Sequence, residues 1–188
     1  MNNLKPIVFL IPVIALILAG LLYFSLLKKT TDKKVFNRYI FIITVLAFLL
    51  NLAWEIIQIP LYKNASFNFS HIAFCALASL ADVIMVLVLY FGFARIFNTI
   101  FWIQQLKWWR IVIVILTGGA GATLAEIRHL SLGSWAYTGS MPIIPIINVG
   151  ISPVLQFMIL PLLVYFLSFY SLTITEQKKY YNGNYEVK

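Results

Sequence analysis

The sequence predicts an all-α integral membrane protein, a five-transmembrane-helix bundle with its N-terminus outside and its C-terminus cytoplasmic. Three observations predict it. The 188 residues are 62% hydrophobic and only 11% charged, with a mean hydropathy of +0.91, more apolar surface than a soluble domain of this size could hide. Five apolar stretches, at residues 7–27, 39–59, 72–93, 111–127 and 146–169, reach or approach the length of about 20 helical residues that a bilayer requires. The 14 Lys and Arg are divided eleven to three between the two sides these stretches define, with Lys5, Lys63 and Arg128 on the poorer side, and the richer side is expected to be cytoplasmic. The net charge of +8 is therefore a topology signal, and nucleic acid is not an expected partner. Residues 1–171 are expected to form one five-helix transmembrane domain, followed by a short cytoplasmic tail at 172–188.

The first stretch resembles a signal peptide in length only. Its charges, Lys28 and Lys29, follow the apolar run, and no small-residue cleavage site is visible, so it is expected to stay in the membrane. The second travels outward and carries Asn51, Glu55 and Gln58 on one helical face. The third returns inward from His71 and places Asp82 eleven residues on, roughly 16 Å down at 1.5 Å per residue. The fourth is the shortest, but Trp108 and Trp109 precede it as an interfacial belt would, and it ends on Glu126, Arg128 and His129. Its "TGGAGAT" run, residues 117–123, lacks the lysine of a phosphate-binding loop and reads as close helix packing, with Gly118 and Ala122 as one small pair. The fifth is expected to carry Asn148, Ser152 and Gln156 at four-residue steps along one face.

Every polar stripe thus falls in the predicted outer half, while the cytoplasmic half is almost purely aliphatic and aromatic. Polar residues can simply hold transmembrane helices together, at about 0.6–2 kcal/mol per hydrogen bond, and alone Gln156 or Asn51 reads that way. Three acids on three helices, all toward one side, instead point to a site, because intramembrane charge is costly and belongs in a bundle interior or wet cavity. Arg128 is the one base near Glu55, Asp82 and Glu126, so at least one carboxyl is expected to be neutral and able to donate a proton. Glu55, Asp82 and Glu126 are the candidate catalytic residues, with Glu55 as donor, Asp82 as second acid or relay, and Gln58 orienting Glu55.

The segment "LGSWAYTGSMPIIPIINVG", residues 132–150, is punctuated by Gly133, Gly139, Pro142 and Pro145 and puts Trp135 and Tyr137 on one side if extended. It reads either as a lid over the polar residues or as an interfacial anchor. Trp54, Tyr62, Trp135 and Tyr137 could face a cationic intermediate, and with Gln58 and Gln156 they form the candidate substrate-binding set. His71 and Cys75 stand at ligand spacing, but a lone cysteine and a helix-end histidine are ordinarily packing and interface residues, and no metal or cofactor is expected. Cys75 is the only cysteine, which rules out an internal disulfide. Ser134 has no spacing that ties it to a base.

Two resemblances follow from these residues. The pattern W-E-x-x-Q-x-P-L-Y from Trp54 to Tyr62, then Asp82, then E-x6-G-x-W-x-Y-x3-M-P from Glu126 to Pro142, then P-x-x-Q from Pro153 to Gln156, resembles an uncharacterised family of small bacterial polytopic membrane proteins. More locally, "NLAWEIIQIPLY" followed by a helix bearing Asp82 is similar to the small integral-membrane terpene cyclases of fungal pathways. That likeness implies a Trp-Glu helix and a second acid that protonate an olefin or epoxide. The order of carboxylate, then Gly-x-Trp-x-Tyr, is faintly similar to membrane lycopene cyclases. The cyclase likenesses imply an enzyme acting on an isoprenoid or lipid, and such a lipid-soluble substrate would enter sideways from the outer leaflet; the chain is expected to be a multi-pass protein of a bacterial inner or plasma membrane. A small transporter or proton-coupled carrier, or a non-catalytic membrane subunit, would use the same acids differently.

Overall fold

The computed structural model describes residues 10–185, with side chains through residue 174; the first residues of the apolar stretch expected at 7–27 lie outside it. Among the described residues the structure is all-helical apart from one two-residue hairpin ladder and one isolated bridge: α1 (Leu10–Lys29), α2 (Lys33–Gln58), α3 (Phe69–Ile96), α4 (Trp108–Ser131) and α5 (Ile151–Tyr185), with β1 (Ile143–Ile144) and β2 (Val149–Gly150) before α5. Among the described residues, five helices are long and apolar enough to cross a membrane. α5 runs on without a break past residue 171, so the tail expected from there begins as a continuation of the helix.

Local chemistry sets the boundaries. Asp32 caps α2, its Oδ1 accepting from the amides of Lys34 and Val35 at 3.0 Å each. Pro60 has no amide hydrogen to continue the same helix, and a 3-10 turn at Ile59–Leu61 follows directly, Ile59 itself staying in the right-handed α region at φ −44° and ψ −45°. Asn68 caps α3 through the His71 amide at 2.8 Å. Asn98 stands at φ 49° just past the end of α3 and turns the chain away. At the end of α4, Gly133 adopts φ 65°, its amide bonds Leu130 O and the Ser134 amide bonds His129 O, both at 3.0 Å. That is a Schellman closure, and it folds Ser134 back onto the last turn of the helix.

The short connections make successive helices antiparallel. α2 sits between α3 and α5, with α1 against α3 and α4 against α5. The α4–α5 approach depends on missing side chains: a Cβ on Gly118 would collide with the Phe157 carbonyl, and one on Gly119 would stand 2.9 Å from Met158 Cγ. Gly118, Gly119 and Ala122 are buried at this contact, the small-residue packing that the sequence suggests.

Two ends of the bundle differ in composition. The basic end, where residues 30–32 and 97–107 connect helices, has an aromatic core of Phe36, Tyr39, Tyr90, Phe91, Trp102 and Tyr165, all essentially inaccessible. Trp102 does not come from a long helix. It belongs to a 3-10 turn, Trp102–Gln105, inserted against Tyr90, Phe93 and Tyr165. The opposite end, here the hairpin end, holds residues 59–68 and 132–150 and the polar side chains described next.

The fifth apolar stretch is corrected at its start. Residues 146–150 are not helical. Ile143 pairs with Gly150 and Ile144 with Val149, and the turn between them ends on Asn148 at φ 52°, its amide bonding Ile144 O at 2.9 Å. Pro142 and Pro145 lack the amide hydrogens a helix would use, and asparagine tolerates the left-handed region that closes the turn. Asn148 is therefore exposed and off the face that Ser152 and Gln156 share.

Candidate functional site

At the hairpin end, α2, α3 and α5 bring their polar residues together. Gln156, on the first turns of α5, is 2% exposed. Its amide nitrogen reaches Asn51 Oδ1 at 2.9 Å, Asp82 Oδ2 at 3.2 Å and Glu55 Oε1 at 3.4 Å. Gln58 Nε2 donates to Glu55 Oε1 at 3.0 Å and to Gln156 Oε1 at 3.3 Å, while Ser152 Oγ donates to Gln58 Oε1 at 3.0 Å. Asn51 turns its own amide to the Ala47 carbonyl at 2.8 Å, leaving its oxygen to Gln156. The offsets of three and four residues on α2 put Asn51, Glu55 and Gln58 on one face, in line with the sequence pattern.

An amide NH2 has two hydrogens, and three oxygens surround this one. Gln156 can satisfy two of them at a time. The hydrogen bonds to the Glu55 and Asp82 carboxyls come from neutral amides, and both carboxyls meet at a single neutral nitrogen. Such a junction can exchange hydrogen-bond partners without moving a helix.

A second cluster forms around Glu126, 7% exposed near the end of α4. Its Oε2 accepts from the Trp135 indole at 3.1 Å and from the Tyr137 hydroxyl in a short hydrogen bond. Both donors come from the loop after α4, on one side of the chain as their i,i+2 spacing predicts. The loop is fixed to the end of α2. Tyr62 and Tyr137 form an antiparallel bridge, with Lys63 N on Ala136 O at 2.8 Å and Thr138 N on Leu61 O at 2.9 Å. Tyr62 meets the ring of Tyr137 at 5.5 Å and the edge of Trp135 at 6.2 Å. Gly150 makes room for this, because a Cβ there would come within 3.1 Å of Tyr137 Cζ.

Tyr62 links the clusters. Burial first, then the neighbouring acids with Glu126 foremost, holds its phenol protonated above the ordinary tyrosine range. Tyr137 is likewise held protonated, by burial and then by its hydrogen bond into Glu126. Trp54 stands apart from the aromatic group. Among the described residues its ring pairs with no other, and its buried indole N–H has no hydrogen-bond partner.

The expected residues therefore divide into Glu55, Asp82, Gln58 and Gln156 in one network, and Glu126, Tyr62, Trp135 and Tyr137 in another beside it. Sequence reasoning missed the Ser134–His129 contact. The Schellman closure brings Ser134 Oγ to 3.3 Å from His129 Nδ1, and His129 stacks on Trp135 with centroids 4.2 Å apart. Gly133 directly after an apolar helix was the available clue. Among the described residues, no three of His, Cys, Asp and Glu are arranged to hold a metal ion.

No protein-family model, curated protein or solved structure matches the chain.

Proposed function

We propose that this chain is an integral-membrane enzyme that rearranges an isoprenoid or other unsaturated lipid by acid catalysis, in the manner of a terpene cyclase. The observation that carries the reading is the meeting of Glu55 and Asp82, from two helices, on the one amide nitrogen of Gln156. Paired carboxyls among neutral donors can hold and pass a proton, which is what general acid–base chemistry requires. The orphaned Trp54 N–H on the neighbouring residue supports it, since a buried unpartnered donor costs about 1–3 kcal/mol unless something else satisfies it.

In this reading the Glu55 carboxyl O–H bond breaks and its proton adds to one carbon of a C=C bond, forming a C–H bond and leaving a carbocation. A second double bond supplies the electron pair that closes a ring. The cyclised cation then loses a proton to the Asp82 carboxylate, and exchange with water removes that proton from Asp82 and reprotonates Glu55, so the net change is an isomerisation. Gln156 and Gln58 orient the two acids. The faces of Trp135 and Tyr137, held by Glu126, and of Tyr62 packed against them favour the positive charge as it develops. The sealed aromatic core at the basic end supports access from one side only, which favours an enzyme over a carrier with a through-path.

The uneven division of Lys and Arg orients the proposal: N-terminus outside, C-terminus cytoplasmic, the site in the outer half of a plasma or bacterial inner membrane. Lipid extracts from cells overproducing the wild type and Glu55→Gln, compared by mass spectrometry, test it. The wild-type extract should contain an isomeric lipid product. Glu55→Gln should insert and fold normally yet lower that product by at least about 10²–10⁴-fold, the contribution of a general acid. Equal product in both would return Glu55 to a packing role.

A further inference from the structure

We propose that the basic end of the bundle carries a separate binding site for the phosphate headgroup of an anionic phospholipid. A cavity of about 490 Å3 lies between the α1–α2 turn and the segment after α3. Its exposed lining includes Lys29, Thr31, Arg95 and Asn98, whereas Leu26 and Ala94 in the same lining are buried. Two cations above an apolar floor suit an amphiphile. A free phosphate ion would engage the cations and hydroxyls but gain nothing from Leu26 and Ala94. The shared chemistry is a phosphate anion, and the apolar floor selects its lipid-borne form.

The site is built into the fold rather than left on a mobile surface. Asn98 at φ 49° reverses the chain, Thr99 N bonds Ala94 O at 3.2 Å, and the Tyr90 hydroxyl holds the Ile100 carbonyl at 2.5 Å. These bonds fix the backbone at the end of α3, whose Arg95 lines the same cavity as Lys29. Asp32 is the one acid in the lining, and its Oδ1 is already engaged in capping α2. Lys29 ends α1 and Arg95 is the penultimate residue of α3. Both therefore stand where membrane-length helices meet the headgroup layer, and basic residues there attract anionic lipid.

The test is lipid retention by the intact protein. Protein reconstituted in phosphatidylcholine with a minor fraction of phosphatidylglycerol is extracted into detergent, and the lipid that stays bound is identified by mass spectrometry. The wild type should enrich phosphatidylglycerol about tenfold or more over the starting mixture. Lys29→Gln/Arg95→Gln should fall to the bulk ratio, and Lys29→Arg/Arg95→Lys, which keeps both charges, should retain the enrichment. Lys33→Gln/Lys107→Gln removes the same charge from the basic end outside the cavity and should retain it too. Equal loss in the two Gln variants would overturn the proposal in favour of diffuse attraction, as would a wild type that never departs from the bulk ratio. Lys29- and Arg95-dependent capture of inorganic phosphate by the delipidated protein, without preference for the phospholipid, would overturn it in favour of a free-ion site.

Discussion

At the basic end, three buried tyrosines each direct their hydroxyl to a backbone carbonyl: Tyr39 to Tyr165 at 3.0 Å, Tyr165 to Val86 at 2.7 Å and Tyr90 to Ile100 at 2.5 Å. At the hairpin end, Glu55 and Asp82 share a side-chain amide with Asn51. Both regions bury polar groups; the basic end leaves the Trp102 indole and the Ser168 hydroxyl without a partner but gives each of these three phenols one fixed carbonyl. A phenol on a main-chain carbonyl has one arrangement and holds one helix to its neighbour. An amide with two hydrogens among three acceptors has several arrangements. Under the proposed function, the contrast is between polar residues that fasten a membrane bundle and those that act in it.

Two substitutions sharpen this comparison. The larger effect is expected at Gln156→Leu, which keeps the volume of a buried helix residue and removes the junction. Glu55, Asp82 and Asn51 then lose a shared donor, at a cost of about 1–3 kcal/mol for buried groups left unsatisfied. Product formation should fall by about 10²-fold, as when a misplaced group disrupts a reacting geometry. If Gln156 is only a fastener, denaturation in detergent will show the stability loss while activity per folded molecule stays unchanged. The smaller effect is expected at Tyr165→Phe. Removing one phenol hydroxyl from the aromatic core should cost about 1 kcal/mol and leave product formation unaltered. A Tyr165→Phe protein that is stable but inactive would erase the distinction between the two ends.

How far the sequence reveals these regions follows from the range of the interactions. The faces of α2 and α5 are legible because Glu55 and Gln58, or Ser152 and Gln156, stand three or four residues apart, and helix geometry alone aligns them. The same rule fails at Asn148, where two prolines and a left-handed asparagine make a hairpin out of an apolar stretch that hydropathy cannot distinguish from helix. The Tyr62–Tyr137 bridge joins segments far apart in the chain, and no local pattern announces it. Trp102 lies in a connection outside the apolar stretches and carries no local signal of burial, yet it is fully buried, because the aromatic surfaces that receive it come from α3 and α5. Local periodicity gives helices and faces; which loop closes on which face depends on contacts between distant segments.

The proposed chemistry stands or falls on whether a carboxyl at the Gln156 junction delivers a proton to carbon. Membranes containing the protein, incubated in D2O with their own lipids and analysed by mass spectrometry, test this even though the substrate is unidentified. An exchangeable carboxyl equilibrates with solvent, so each turnover should place a solvent deuteron on carbon, where it no longer washes out. The expected result is a lipid isomer that carries non-exchangeable deuterium with the wild type and is absent with Glu55→Gln. A product formed in equal amount by Glu55→Gln, or one that carries no deuterium, would contradict it.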